Sequence, residues 1–114
     1  MARVLQEDVD EKLDAALELV RLGVVDVRED GTVWRSARSD GYGGYSPLKR
    51  PWRLRGVTRD GYLVMSVTVK DVRRTVYQHR LVFAHFMGPL PPNRRVLHFN
   101  GKRTDNRPEN LQLA

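Results

Sequence analysis

The 114-residue chain has no cysteine. A disulfide framework and a thiolate zinc site are therefore excluded, and an intracellular location is the default expectation. It has no apolar run approaching the ~18 residues that a membrane span needs. Its opening "MARVLQEDVDEK" lacks the basic-then-apolar order of a secretory signal. Negative charge is scarce after residue 31: residues 32–114 carry sixteen basic and five acidic side chains, whereas residues 1–31 carry four and nine. The two parts should therefore meet different partners. Thirteen of the sixteen later cations are arginine, whose planar fork suits phosphate and guanine edges better than lysine does. Charge alone makes nucleic acid the leading partner, with a basic surface that merely keeps the protein in solution as the alternative.

The length suits one domain with a modest core. Asp8 followed by Glu11 has the form of a capping box, and Leu13, Ala16, Leu17 and Val20 recur at helical spacing before Gly23, which predicts a helix over 8–22. Its other face is acidic, with Glu7, Asp10, Glu11, Asp14 and Glu18. "VVDVREDGTVWR" reads as a hairpin turning at Asp30-Gly31. "SARSDGYGGYSPLKRP" reads as a loop, in which Tyr42 and Tyr45 either stack on bases or pack locally. Strands are expected over Arg53–Thr58, Tyr62–Val69 and Arg73–Tyr77, with Leu63, Met65, Val67 and Val69 on one apolar face. Then "HRLVFAHFMG" switches to helical spacing, with Leu81, Val82, Ala84, Phe86 and Met87 toward the core and Gly88-Pro89 as the stop. "RRVLHF" is a short strand, and Pro108 opens a helical turn or an extended piece. The expected fold is α+β: an N-terminal helix and β-hairpin, a small antiparallel sheet, one central helix and a C-terminal strand-loop unit. The expected division is an appendage at 1–35, a flexible loop at 36–52 and a domain at 53–114.

The chemistry concentrates in "RRVLHFNGKRTDNRPENLQLA". A neutral imidazole at the edge of a basic surface can take a proton from water near neutrality, which singles out His98. Asn110 can fix that ring through a hydrogen bond without competing for the proton. Arg94, Arg95, Lys102, Arg103 and Arg107 flank the histidine and favour contact with a phosphate backbone, a solvated charge run being the alternative. Phosphodiester hydrolysis also needs a cation at the scissile phosphate, and the nearby oxygen ligands for Mg²⁺ or Mn²⁺ are Asn100, Asp105 and Asn106. His79 reads as a structural or capping residue. His85 lies off the i, i+4 spacing of a metal pair and reads as surface or packing.

The stretch "YQHRLVFAHFMGPLPPNRRVLHFNGKRTDNRPENLQL", Tyr77 to Leu113, resembles the HNH homing-endonuclease family, a His-Me finger type common in phages. The anchors are His79-Arg80-Leu81, Phe86, Gly88-Pro89, His98, Gly101-Lys102 and Asn106-Arg107-Pro108-Glu109-Asn110-Leu111. The resemblance implies a DNA endonuclease with His98 as general base, Asn110 as the residue orienting it, and Mg²⁺ or Mn²⁺ as cofactor. The chain departs from the family in three ways. Leu97 stands where the family often has a metal ligand, and Asn100 replaces the aspartate of H-x-D-G. A further ligand position, on a closing helix, would fall past Ala114. These departures predict a DNA-binding protein whose metal-dependent cleavage is impaired. The alternative from another class is a non-catalytic effector that binds a host protein through the acidic helix 8–22. Oligomeric state is open.

Overall fold

The computed structural model describes residues 10–91 and 93–114. The expected start of the first helix at Asp8, with Glu7 on its face, lies outside the described residues. Helix α1 runs Glu11–Arg21, and its cap is Asp10, whose carboxylate accepts the Leu13 N–H at 3.1 Å. This satisfies a backbone donor that the first turn leaves without a partner. The helix stops where Gly23 takes a positive φ of 81°. Leu13 and Ala16 are buried, and the acidic end is engaged within the chain: Asp10 meets Arg80 and Glu11 meets Lys70, each at 3.5 Å.

Strands β1 (Val25–Val27), β2 (Val33–Ser39) and β3 (Tyr45–Arg53) form an antiparallel sheet in that order. The first turn is the expected one. Gly31 has a φ of +83° and donates to Arg28 O at 2.9 Å, while Asp30 accepts the Thr32 N–H at 3.0 Å. The segment 36–52, read as a flexible loop, is instead mostly strand. Only Asp40–Gly44 turns, with Asp40 Oδ1 accepting the N–H groups of Tyr42 (2.7 Å) and Gly44 (3.0 Å). Pro47 and Pro51, which argued for a loop, are accommodated because β3 is an edge strand, where a missing N–H costs no ladder partner.

Strands β4 (Val64–Val69) and β5 (Val72–Tyr77) form a hairpin whose Lys70 and Asp71 both have positive φ, 49° and 66°, as a two-residue primed turn requires. The strand expected over Arg53–Thr58 is absent. Arg53 closes β3, and the rest contributes one isolated bridge, Val57 to Leu63. Leu63, Met65 and Val67 are buried as the alternation predicted.

Helix α2 (Gln78–Met87) follows β5 directly and is pinned by the buried Gln78 amide, which donates to Leu54 O at 2.9 Å and Val64 O at 3.0 Å. Its buried apolar residues are Leu81, Val82 and Phe83, whereas Phe86 (37% exposed) and Met87 (48%) face outward. Leu81 and Val82 are buried and Ala84 packs against the core as expected, whereas Phe86 and Met87 depart from the expected face because burial is concentrated in the first half of the helix. Strands β6 (Val96–His98) and β7 (Leu111–Leu113) pair antiparallel, joined through a single 3₁₀ turn at Pro108–Asn110.

One apolar cluster joins Leu13, Ala16, Val24, Val25, Val27 and Val33 to Met65, Val67, Val76, Leu81, Val82, Val96 and Leu111. The segment read as an appendage thus shares its core with the rest. Among the described residues, no helix is long and apolar enough to cross a membrane.

Candidate functional site

His98 ends β6 opposite Leu111 and is half-buried. The strands that carry it are three residues each, too short to hold a loop by ladder bonds alone, so the geometry falls to side-chain amides. Asn110 is 4% exposed; its oxygen accepts the Asn100 N–H at 3.0 Å, and its amide donates to Asn100 Oδ1 (3.0 Å) and Asp105 O (2.8 Å). Asn100 in turn accepts the Lys102 N–H at 2.9 Å and donates to Asp105 Oδ2 at 2.8 Å. The loop between the strands is closed from within.

The residue bonded to His98 is Asn106: its Oδ1 lies 2.7 Å from His98 Nε2. Of the two asparagines, Asn106 rather than the expected Asn110 is the one within hydrogen-bond reach of the His98 ring. Asn110 is bonded across the loop and makes no hydrogen bond to His98. Both asparagines stand in "NRPEN", and only the register of the 3₁₀ turn decides which one reaches the ring. Because Asn106 Oδ1 can only accept, the facing Nε2 carries a hydrogen, and in the neutral form of the ring the lone pair is then on Nδ1. Asn106 is 2% exposed, and its own Nδ2 is buried without a hydrogen-bond partner. Its backbone is held by the first hairpin. A Cβ placed on Gly31 would lie 2.2 Å from the Asn106 carbonyl, so only glycine admits this approach.

Asp105 is forked by Arg107, with Nε and Nη2 donating to its two oxygens at 2.8 and 2.9 Å. That pairing, aided by Asn100, holds its carboxyl well below the usual carboxylate range against the opposing effect of burial. Beside His98 lies His79, 7% exposed, with ring centroids 4.9 Å apart. Burial, with repulsion from His98 and Arg80, brings His79 down to about 4. The sequence reading took His79 as structural. Nothing in the sequence shows that it sits against His98, because the two histidines lie on separate elements, α2 and β6.

The five expected phosphate-contacting cations are not equivalent. Arg94 donates to the Ala114 carbonyl at 3.0 Å. Arg103 donates to Asp60 O at 2.6 Å and lies over the Tyr62 ring at 4.9 Å. Arg107 is paired with Asp105 and, at 3.6 Å, with Glu109. Arg95 and Lys102 are exposed and enter no ion pair among the described residues. They are the two cations most free to meet a phosphate.

The donors do not fit a divalent metal ion. Asn100 Oδ1 and both Asp105 oxygens are committed to hydrogen bonds within the loop, and Asn106 Oδ1 is committed to His98. Leu97, the residue before His98, is a partly exposed side chain with no oxygen to offer. Among the described residues no three of His, Cys, Asp or Glu gather in one place.

Residues 76–114 match a family of HNH endonucleases. In fold the chain is similar to a solved HNH homing endonuclease, I-HmuI, a protein described for DNA binding and cleavage. The TM-score is 0.57 at 24% identity, covering 81% of this chain and 47% of that one. The chain thus spans about half the length of that structure. No curated protein matches the sequence. The HNH resemblance read from the motifs and the α+β fold are both borne out, the family match lying in the last third of the chain.

Proposed function

We propose that this chain binds DNA with the face around His98, and that its HNH segment cleaves phosphodiesters with Mg²⁺ or Mn²⁺ only weakly. The observation that carries the proposal is the pairing of His98 with Asn106 in a basic loop whose oxygen donors are spent on one another. His98 Nδ1 takes a proton from water, the water oxygen attacks phosphorus, and the bond from phosphorus to the departing ribose oxygen breaks. Arg95 and Lys102 offset charge growing on the phosphate oxygens. The leaving oxygen is what a resident metal would stabilise, and this donor set supplies little to hold one; cleavage is therefore slow.

Supercoiled plasmid with Mg²⁺ or Mn²⁺ tests this. Slow nicking by the parent, none by His98→Ala, and acceleration by Leu97→Asp of about tenfold or more are expected, since a carboxylate beside the base gives the ion a ligand. Gel retardation should weaken steeply with salt, as phosphate contacts do. Absence of retardation of DNA at low salt overturns the reading. Retardation without nicking, even in Leu97→Asp, reduces it to DNA binding alone.

A further inference from the structure

The proposed chemistry uses one imidazole and leaves its neighbour without a task. His79 is the second residue of α2, directly after the Gln78 amide that fixes this end of the helix to the strands. Its ring is stacked on Tyr62, with centroids 5.2 Å apart and planes at 27°, and Tyr77 closes a further side at 5.6 Å. Arg103 covers the Tyr62 ring. The order is Arg103 on Tyr62, Tyr62 on His79, His79 on His98, and His98 hydrogen-bonded to Asn106. An imidazole that only filled space here could be replaced by an aliphatic side chain with less desolvation of polar atoms. It also borders a cleft of about 270 Å³ that Tyr62, Tyr77, Arg80 and Arg95 line, so it sits in the wall of the site rather than in the deep core.

We infer that His79 is a positioning residue for His98: its flat ring and the Asn106 amide hold the base from two sides, fixing the hydrogen on Nε2 and leaving Nδ1 to take the proton. The inference rests on His98 being the base of the proposed function. A hydrogen bond to Asn106 alone leaves the His98 ring free to tilt about that bond, and a tilted ring can exchange its tautomer. The His79 ring, 4.9 Å away by centroid and inclined at 48° to His98, restricts that tilt by packing against it. The titratable and charged groups facing His79 are Tyr62, Tyr77, Arg80, Arg95 and His98, with Arg103 behind Tyr62. With cations among them and burial around it, His79 is uncharged at neutral pH and does not oppose the proton that His98 must accept.

Long-range ¹H–¹⁵N spectra of the labelled full chain read the tautomer of His98 directly. The parent should show a single Nε2–H form. His79→Phe, which keeps a flat ring, should retain it. His79→Ala should show averaged nitrogen shifts from exchanging tautomers, together with a ten- to hundredfold fall in the turnover of any nicking, at little changed DNA affinity. Tyr62→Leu, which removes the support behind His79 and leaves both histidines in place, should give intermediate averaging. An Ala variant that keeps the parent's tautomer signature overturns the inference, and so does a Phe variant that loses it as Ala does. If His79→Ala fails to fold by circular dichroism, an unchanged His98 signature in Tyr62→Leu overturns it equally. The spectra need no cleavage, so a parent that never nicks removes the catalytic reading without touching this result.

Discussion

The three-stranded sheet and the closing β6–β7 unit are held by different forces. In the sheet, Val25, Val27, Val33 and Ala37 turn inward on alternate positions and are buried with Leu13 and Ala16 of α1. In the closing unit only Val96 and Leu111 are buried apolar residues, and Asn106 and Asn110 take the remaining buried positions. Apolar burial is non-directional and sets which faces meet, whereas amide hydrogen bonds are directional and set where individual atoms lie. The first region therefore carries stability and the second carries geometry. They meet at Gly31, whose turn lies against the backbone of Asn106.

The largest effect should come from the region that carries stability. Leu13→Ala, 5% exposed in a core common to both regions, should cost about 2–5 kcal/mol. Urea unfolding should show Trp34 and Trp52 fluorescence, far-ultraviolet circular dichroism and the His98 resonances moving together at a lower midpoint. His98 resonances that persist past the fluorescence transition would show that the two regions are separate units, and the comparison would fail.

Acid is the second probe, because the site region holds a buried histidine. With its folded value near 4 against an ordinary 6.5, His79 is uncharged in the folded chain where the unfolded chain already binds a proton. Stability is therefore full above pH 6.5 and falls as pH drops toward 4, by about 3 kcal/mol if the whole difference is expressed. Asp105, held low by Arg107, adds a further loss as pH falls below about 4, where its unfolded counterpart takes a proton first. Unfolding free energies measured across this range should lose the pH 6.5 to 4 slope in His79→Phe and keep the acid limb. A parent with a flat profile between 6.5 and 4 would contradict the burial of His79.

The regions also differ in how far the sequence discloses them. Helix α1, the turn at Asp30-Gly31, the β4–β5 hairpin and helix α2 follow from periodicity and turn residues, which are local properties. The strands of 36–53 were hidden because Pro47, Pro51 and three glycines signal a loop, and only the edge position of β3, a property of the assembled sheet, makes the prolines acceptable. Phe86, expected in the core, is partly exposed while Phe83 is buried, because burial on α2 depends on what packs around its first turns. At the site, His98 was legible from its motif, but the partner of its ring was not. Asn106 and Asn110 are the same residue type four positions apart, and the 3₁₀ turn between them sets which side of the loop each reaches. The contacts of His79 with His98 and of Gly31 with Asn106 join segments far apart in the chain, and no local pattern encodes them.

The smallest predicted change in stability is the one that separates geometry from stability most cleanly. Asn110→Ala removes three hydrogen bonds, yet two of them end on the exposed Asn100, whose groups can turn to water. The cost should lie at the low end for buried amides, about 1 kcal/mol, well below that of Leu13→Ala. The loop between the strands, however, loses its internal closure: Asn100 is released, and the Asp105 carbonyl loses its partner. Asn106, next in the chain to Asp105, should then hold His98 less firmly, so that nicking falls by about tenfold or more while the midpoint of unfolding barely moves. Thermal melts and plasmid nicking on the same preparation measure both quantities. A loss of stability as large as that of Leu13→Ala, with the His98 tautomer unchanged, would mean that the amide network supports the fold rather than the site. The division between a region that carries stability and one that carries geometry would then have to be given up.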